Sequence, residues 1–210
     1  MSALHRVAMA LLAIAGLTGS ASLFGSDVPW TKFEHTLSTP CHPHTSKSWG
    51  VKYLKETFHA DDRCTSLLDT KTTVAYDDTA CKFAWCDICH ENGSEIEILM
   101  SLGIVCCVVG FAAISARSIG TVENKYLVFS SALCPFVAAI FCLACWALYR
   151  QGCFVKIREV ESINDTNPSL DAGFALAIAA TVTAFLGGVL ECVVSDGGGG
   201  APVYRRLAGG

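Results

Sequence analysis

Cys86-Asp87-Ile88-Cys89-His90 is the stretch whose residue types and spacing can do chemistry. A Cys-x-x-Cys-His run is the pattern of covalent haem attachment, in which both thiols form thioether bonds and the histidine becomes an axial ligand. Cys86, Cys89 and His90 are therefore candidate haem residues. A wider set, Cys41, His42, His44, Cys64, Cys89 and His90, can be grouped as a zinc site, with Cys86/Cys89 and Cys41/His44 as two close pairs. Each pattern has a bland reading beside it. A five-residue match in a chain with twelve cysteines is weak, and the surrounding polar segment is short for a haem pocket. Thiols in an oxidising compartment pair with one another rather than ligate zinc. The bland reading is preferred, so no cofactor and no metal is expected. No nucleophile motif is present, and the glycine run 197–200 lacks the Lys-Ser/Thr that completes a phosphate loop. No enzymatic activity is expected.

The elements that must position these residues are set by composition. Of the 210 residues 52% are hydrophobic and 16% charged, and the mean hydropathy is +0.44. That balance leaves too little charge to cover a soluble domain and points to a membrane protein. Four runs, 7–24, 96–116, 127–149 and 172–194, approach the roughly 20 apolar residues that span a bilayer as a helix. Glu97 and Glu191 fall near the ends of these runs, where they can reach the interface. Residues 1–6 followed by the apolar stretch 7–17 also read as a secretory signal, with the small residues Thr18-Gly19-Ser20-Ala21-Ser22 after it as a cleavage site.

With four spans, both termini share a side with loop 117–126. That side carries Arg6, Arg117, Lys125, Arg205 and Arg206 against Glu123 and Asp196, which places it in the cytoplasm. Residues 25–95 and 150–171 then face out. Asn164 and Asn92 begin glycosylation sequons on that outer side, and Asn164 is the better candidate. The outer segments hold an even set of cysteines, Cys41, Cys64, Cys81, Cys86, Cys89 and Cys153, which suits disulfides; six thiols allow about 15 full pairings. Cys106, Cys107, Cys134, Cys142, Cys145 and Cys192 lie in or beside helices and read as small packing residues, with Cys192 also a palmitoylation candidate.

Within 25–95, residues 48–54 and 72–76 read as strands, the segment after Pro29 as a weaker one, and His42-Pro43-His44 and Asp61-Asp62 as turns. The fold class is an all-α membrane protein: a four-transmembrane-helix bundle with a small disulfide-braced, partly β extracellular domain. Its divisions are 1–24 (first helix), 25–95 (extracellular domain), 96–116 (second helix), 117–126 (cytoplasmic loop), 127–149 (third helix), 150–171 (second extracellular loop), 172–194 (fourth helix) and 195–210 (glycine-rich cytoplasmic tail). Small residues in the second and fourth helices suit close packing. Pro135 kinks the third helix or ends a frayed first turn, and Trp146 and Tyr149 fit an interfacial aromatic belt. The spans lack ionisable groups at their centres, which argues against an ion or proton pathway. With no basic block, no nucleic-acid partner is expected; the partners are the lipid bilayer and, for the bundle, further copies or other membrane proteins.

Three patches carry a family resemblance: Trp49-Gly50-Val51-Lys52, Cys145-Trp146-Ala147-Leu148 and Ala172-Gly173-Phe174-Ala175-Leu176. With the four-span layout, they make the chain resemble the claudin-type tetraspan superfamily and, within it, the amastins, surface glycoproteins of kinetoplastid parasites. The amastin signature has cysteines four residues before and six after its tryptophan. Here the nearest are Cys41 and Cys64, and Leu54 stands where a polar residue is expected. The resemblance implies an uncleaved first helix and a non-enzymatic plasma-membrane protein, in cell-envelope organisation or contact with a host or neighbouring cell. It implies that Trp49, Gly50 and Lys52 define the fold of the loop, and it suggests a Cys41–Cys64 disulfide. The competing readings are an accessory subunit of a larger membrane complex, and a membrane-anchored haem or metal protein built on Cys86, Cys89 and His90.

Overall fold

The computed structural model describes residues 3–24, 28–36, 44–59, 70–76, 85–119, 125–161 and 168–197. In chain order the elements are α1 (Ala3–Phe24), β1 (Thr31–Thr36), β2 (His44–Trp49), β3 (Tyr53–His59), β4 (Thr70–Ala75), α2 (Cys86–Ser118), α3 (Lys125–Tyr149), a π-helical turn (Arg150–Phe154), α4 (Val155–Glu161), β5 (Ser169–Leu170) and α5 (Ala172–Gly197). Four helical stretches are long and apolar enough to cross a membrane, the mark of an integral membrane protein. The chain divides into two units, a bundle unit of residues 1–20, 99–144 and 176–210 and a sheet unit of residues 21–98 and 145–175.

The bundle unit is built on small residues. Ala8, Leu12, Ala15, Cys107, Ile114, Ala138, Ala139 and Ala184 form its core. Leu12 of α1 fills the space left by Gly110 of α2 and Gly187 of α5, its carbons lying 3.4 Å from where a Cβ would stand at either glycine. Gly103 of α2 takes the Cys142 sulfur of α3, and Gly188 of α5 takes the Phe136 ring. Lipid gives no hydrophobic drive for helices to associate, so this close approach is what packs them. Large apolar residues such as Val105, Val108, Ile140, Val182 and Phe185 are exposed, as a lipid-facing surface requires. Pro135 is fully buried in the interior of α3, eleven residues in, which excludes a frayed first turn.

In the sheet unit the strand order is β4-β3-β2-β1-β5, with every pairing antiparallel. Alternation puts Thr31, Phe33, Trp49 and Leu54 on one face, all buried, and Lys32, Ser48, Lys55 and Thr73 on the other. Residues 48–54, read from sequence as one strand, are instead the end of β2, a turn and the start of β3. Composition rich in β-formers hid the break that Gly50 supplies. His44 begins β2 rather than lying in a turn. Two further boundaries move. Helix α2 starts ten residues before the apolar run at 96, and the third helix runs on through the π-helical turn into α4, so much of 150–171 is helical. Tyr149 is not a lipid-facing belt residue; it is buried in the sheet unit, its hydroxyl 2.8 Å from the Thr31 hydroxyl.

Candidate functional site

The turn Trp49-Gly50-Val51-Lys52 is seated on the first turns of α2. The Gly50 amide donates to the Tyr53 carbonyl at 2.8 Å, closing the turn. A Cβ at Gly50 would stand 2.5 Å from the Tyr53 ring, so only glycine lets the ring lie flat there. Trp49 packs edge-on against Trp85 (centroids 6.2 Å apart), and Tyr76 meets the same ring at 6.0 Å. On the helix side, Gly93 admits the Val51 carbonyl where any Cβ would collide with it, and one turn further Glu97 pairs with Lys52. Gly93→Leu is therefore expected to destabilise the sheet unit by about 1–3 kcal/mol, the usual range for overpacking. Lys52→Ala removes an exposed ion pair and should cost less than about 1 kcal/mol. Thermal unfolding of the two variants in mild detergent separates these expectations. The fold of the turn thus rests on Trp49 and Gly50 far more than on Lys52.

Tyr76 locks the turn from the other side, its hydroxyl donating to the Gly50 carbonyl at 2.9 Å. Burial, then the phenols of Tyr149 and Tyr53, push its ionisation well above the usual phenol range. An acid whose folded pKa is raised contributes stability that is intact below the unfolded value near 10 and is lost as pH climbs above it. Melting temperature should therefore fall steeply above about pH 10, and Tyr76→Phe should flatten that fall while lowering stability at neutral pH.

The other two resemblance patches, Leu176 apart, lie in the same unit. Trp30 is fully buried, its indole N–H donating to the Ser22 carbonyl at 2.9 Å. Its ring lies 4.8 Å from that of Tyr149 and 6.2 Å from that of Phe174. Gly173 gives Trp30 its room: its amide donates to the Pro29 carbonyl at 2.8 Å, and its carbonyl accepts from the Ser22 hydroxyl at 2.8 Å. Trp146 meets Phe174 at 6.0 Å, and the Cys145 thiol lies 3.5 Å from the Ile96 carbonyl.

The Cys86–His90 stretch opens α2. Cys89 is bonded to Cys153, 64 residues on, with the Cα atoms 4.8 Å apart, and Cys86 is also in a disulfide. Neither thiol is available for a thioether to haem or as a zinc thiolate, and His90 is exposed on the helix. Cys153 reaches α2 from the π-helical turn. Beside it, Gly152 leaves space for the Asn92 amide, which a side chain there would strike. Asn92 therefore sits inside a helix with its amide packed, a poor setting for a glycan. Cys41, Cys64, Cys81, His42 and Asn164 lie outside the described residues, and with them the Cys41–Cys64 pairing. Cys106, Cys107, Cys134, Cys142, Cys145 and Cys192 are outside any disulfide, and Cys107, Cys142 and Cys145 are buried. Among the described residues no group of three or more His, Cys, Asp or Glu is arranged around a metal position.

In the bundle unit Glu191 departs from its sequence reading. It does not reach out to an interface; its side chain is fully buried. Arg117 of α2 pairs with its Oε1, and the same guanidinium nitrogen donates to the Ser131 hydroxyl of α3 at 2.7 Å. His5 Nε2 of α1 lies 3.8 Å from Oε2, which makes no hydrogen bond. One residue from each long helix thus meets at a single polar knot. Pro135 lies four residues after Ser131 and, lacking an amide, cannot donate the helical hydrogen bond to the Ser131 carbonyl. Helical spacing carries the signal that window hydropathy misses. Glu191 lies 7, 11 and 14 residues after Ala184, Ala180 and Ala177, all fully buried, so it belongs to their face.

No protein-family model matches the chain, and no curated protein matches it.

Proposed function

We propose that the chain is a non-enzymatic, amastin-like tetraspan protein of the plasma membrane, presenting residues 25–95 outside the cell in envelope organisation or in contact with a host or neighbouring cell. The observation that carries this reading is that the three resemblance patches, Leu176 apart, fall in the sheet unit and each makes a specific contact there. The Trp49–Lys52 turn sits on Gly93 and Glu97, Trp146 on Phe174, and Gly173 under Trp30. Such patches are what a family signature would need in order to hold one presented shape. The disulfide Cys89–Cys153 fits an oxidising compartment. Gly103, Gly110, Gly187 and Gly188 face neighbouring helices of the same bundle, so the small residues expected to serve a larger complex are occupied within the chain. The haem or metal reading loses both thiols on which it depends.

Antibodies against residues 25–95, applied to unpermeabilised cells, test the location. Staining at the cell surface is expected; staining that appears only after permeabilisation, on internal membranes, would rule the reading out.

A further inference from the structure

We infer that the interior of the bundle unit is a site for Cu⁺, held between the Cys142 sulfur of α3 and the Met100 sulfur of α2. The Cys142 thiol donates to the Met100 thioether at 3.8 Å, so its proton already lies where a shared ion would sit. Metal–sulfur bonds are about 2.3 Å long, so two sulfurs on one ion are at most about 4.6 Å apart. The observed separation falls inside that limit, and the ion requires no movement of either helix. Thiolate and thioether are soft, polarisable ligands, and that softness suits Cu⁺.

The surroundings decide which ion fits. Met100 is fully buried and Cys142 nearly so. Both sulfurs rest against glycine backbone. A Cβ at Gly103 of α2 would stand 3.2 Å from the Cys142 sulfur, and one at Gly19 of α1 would stand 3.6 Å from the Met100 sulfur. No charged residue lies between Glu97 and Arg117 in α2, or between Lys125 and Arg150 in the third helix. A net charge is costly in such a place. Binding exchanges the thiol proton for the ion: RSH and Cu⁺ give RS–Cu and H⁺, with no electron transferred. The charge of the ion cancels that of the thiolate, and the thioether adds a ligand without adding charge. The finished site is neutral. A divalent ion on the same two sulfurs would leave a positive charge buried, and a second thiolate in place of Met100 would leave a negative one. Neither residue belongs to the haem or zinc sets read from Cys86, Cys89 and His90.

Full-length protein with a tag free of histidine and cysteine, in mild detergent, is titrated with Cu⁺ under ascorbate against a coloured Cu⁺ chelator. One tightly held ion per chain is expected, with release of a proton. Loss of even an outer-shell partner of a metal costs about 10–100-fold in affinity. Met100→Leu and Cys142→Ala should each cost at least that much, whereas Cys192→Ser removes a thiol elsewhere and should leave binding unchanged. Circular dichroism reports whether each variant is folded. The chain has three methionines, so selenomethionine labelling supplies a readout without any substitution. X-ray absorption at the copper edge should show copper–selenium scattering, and Met100→Leu should abolish it. A thiol and a thioether that merely pack together would give no saturable binding. That result, affinity that survives Met100→Leu or Cys142→Ala, equal loss in Cys192→Ser, or copper bound by sulfur without selenium would each overturn the inference.

Discussion

Replacing Arg117 with leucine is expected to destabilise the bundle by about 3–5 kcal/mol, the range for leaving one member of a buried ion pair without its partner. Glu191 is fully buried, and Arg117 both pairs with it and donates to Ser131. Without the guanidinium, the carboxylate retains the Ser131 hydroxyl and, at 3.8 Å, His5, a contact too long for a hydrogen bond, and no full positive charge in direct contact. For a chain of this length a loss of that size lowers the unfolding midpoint on the order of 10 °C. The pair itself is a different matter. Removing two charges together also removes two desolvation penalties, so Arg117→Met combined with Glu191→Leu should return to within about 1–2 kcal/mol of the parent, or exceed it. Thermal unfolding in one detergent, for the single and double variants, decides this. A single variant as stable as the parent would mean that Glu191 is not buried in the way described. The role left for the knot is to fix which helix lies beside which, since apolar surfaces in lipid specify register weakly.

Loss of the Cys89–Cys153 bond should have an effect of similar size in the sheet unit. Removing a native disulfide from a small secreted domain typically costs about 2–5 kcal/mol, with longer closed loops toward the upper end; this one closes 64 residues. Its sheet of four main strands and one two-residue strand has limited apolar surface to bury, so the crosslink contributes much to its stability. Cys153→Ser is expected to leave helix content unchanged while making the amides of β1 to β4 exchange rapidly. Peptide mapping without reduction should recover Cys89 joined to Cys153 in the parent. Hydrogen exchange in the strands that is unaltered by the substitution would show that the bond braces nothing.

The spans were legible because a bilayer demands length and apolarity, and both are one-dimensional properties. Their ends were not. Helix α2 opens with Cys86, Asp87, His90, Glu91 and Asn92, which a helix accepts but a hydropathy window discards. The extension past Tyr149 depends on a π-helical turn, which has no compositional mark. Strand existence was partly readable, register was not, and β5 is two residues whose pairing to β1 depends on contacts far along the chain. Gly50 was visible as part of a patch, yet its use as a turn follows only from the Tyr53 ring lying where a Cβ would be. The polar knot was missed for a different reason. Glu191 lies near a span end, and depth alone suggested an interface; the direction it faces is set by its phase with Ala177, Ala180 and Ala184. The Cys-x-x-Cys-His pattern drew attention that the disulfide to Cys153 redirects from chemistry to bracing.

The proposed topology, four membrane crossings with the sheet on the outer side, is tested most directly by cysteine accessibility. Thr73 is exposed on the sheet, and Ile119, 74% exposed, follows α2 at its other end. In intact cells, a membrane-impermeant thiol reagent should label Thr73→Cys above the parent background and leave Ile119→Cys unlabelled until the membrane is permeabilised. Labelling of both positions in intact cells, or of Ile119→Cys alone, would contradict the account.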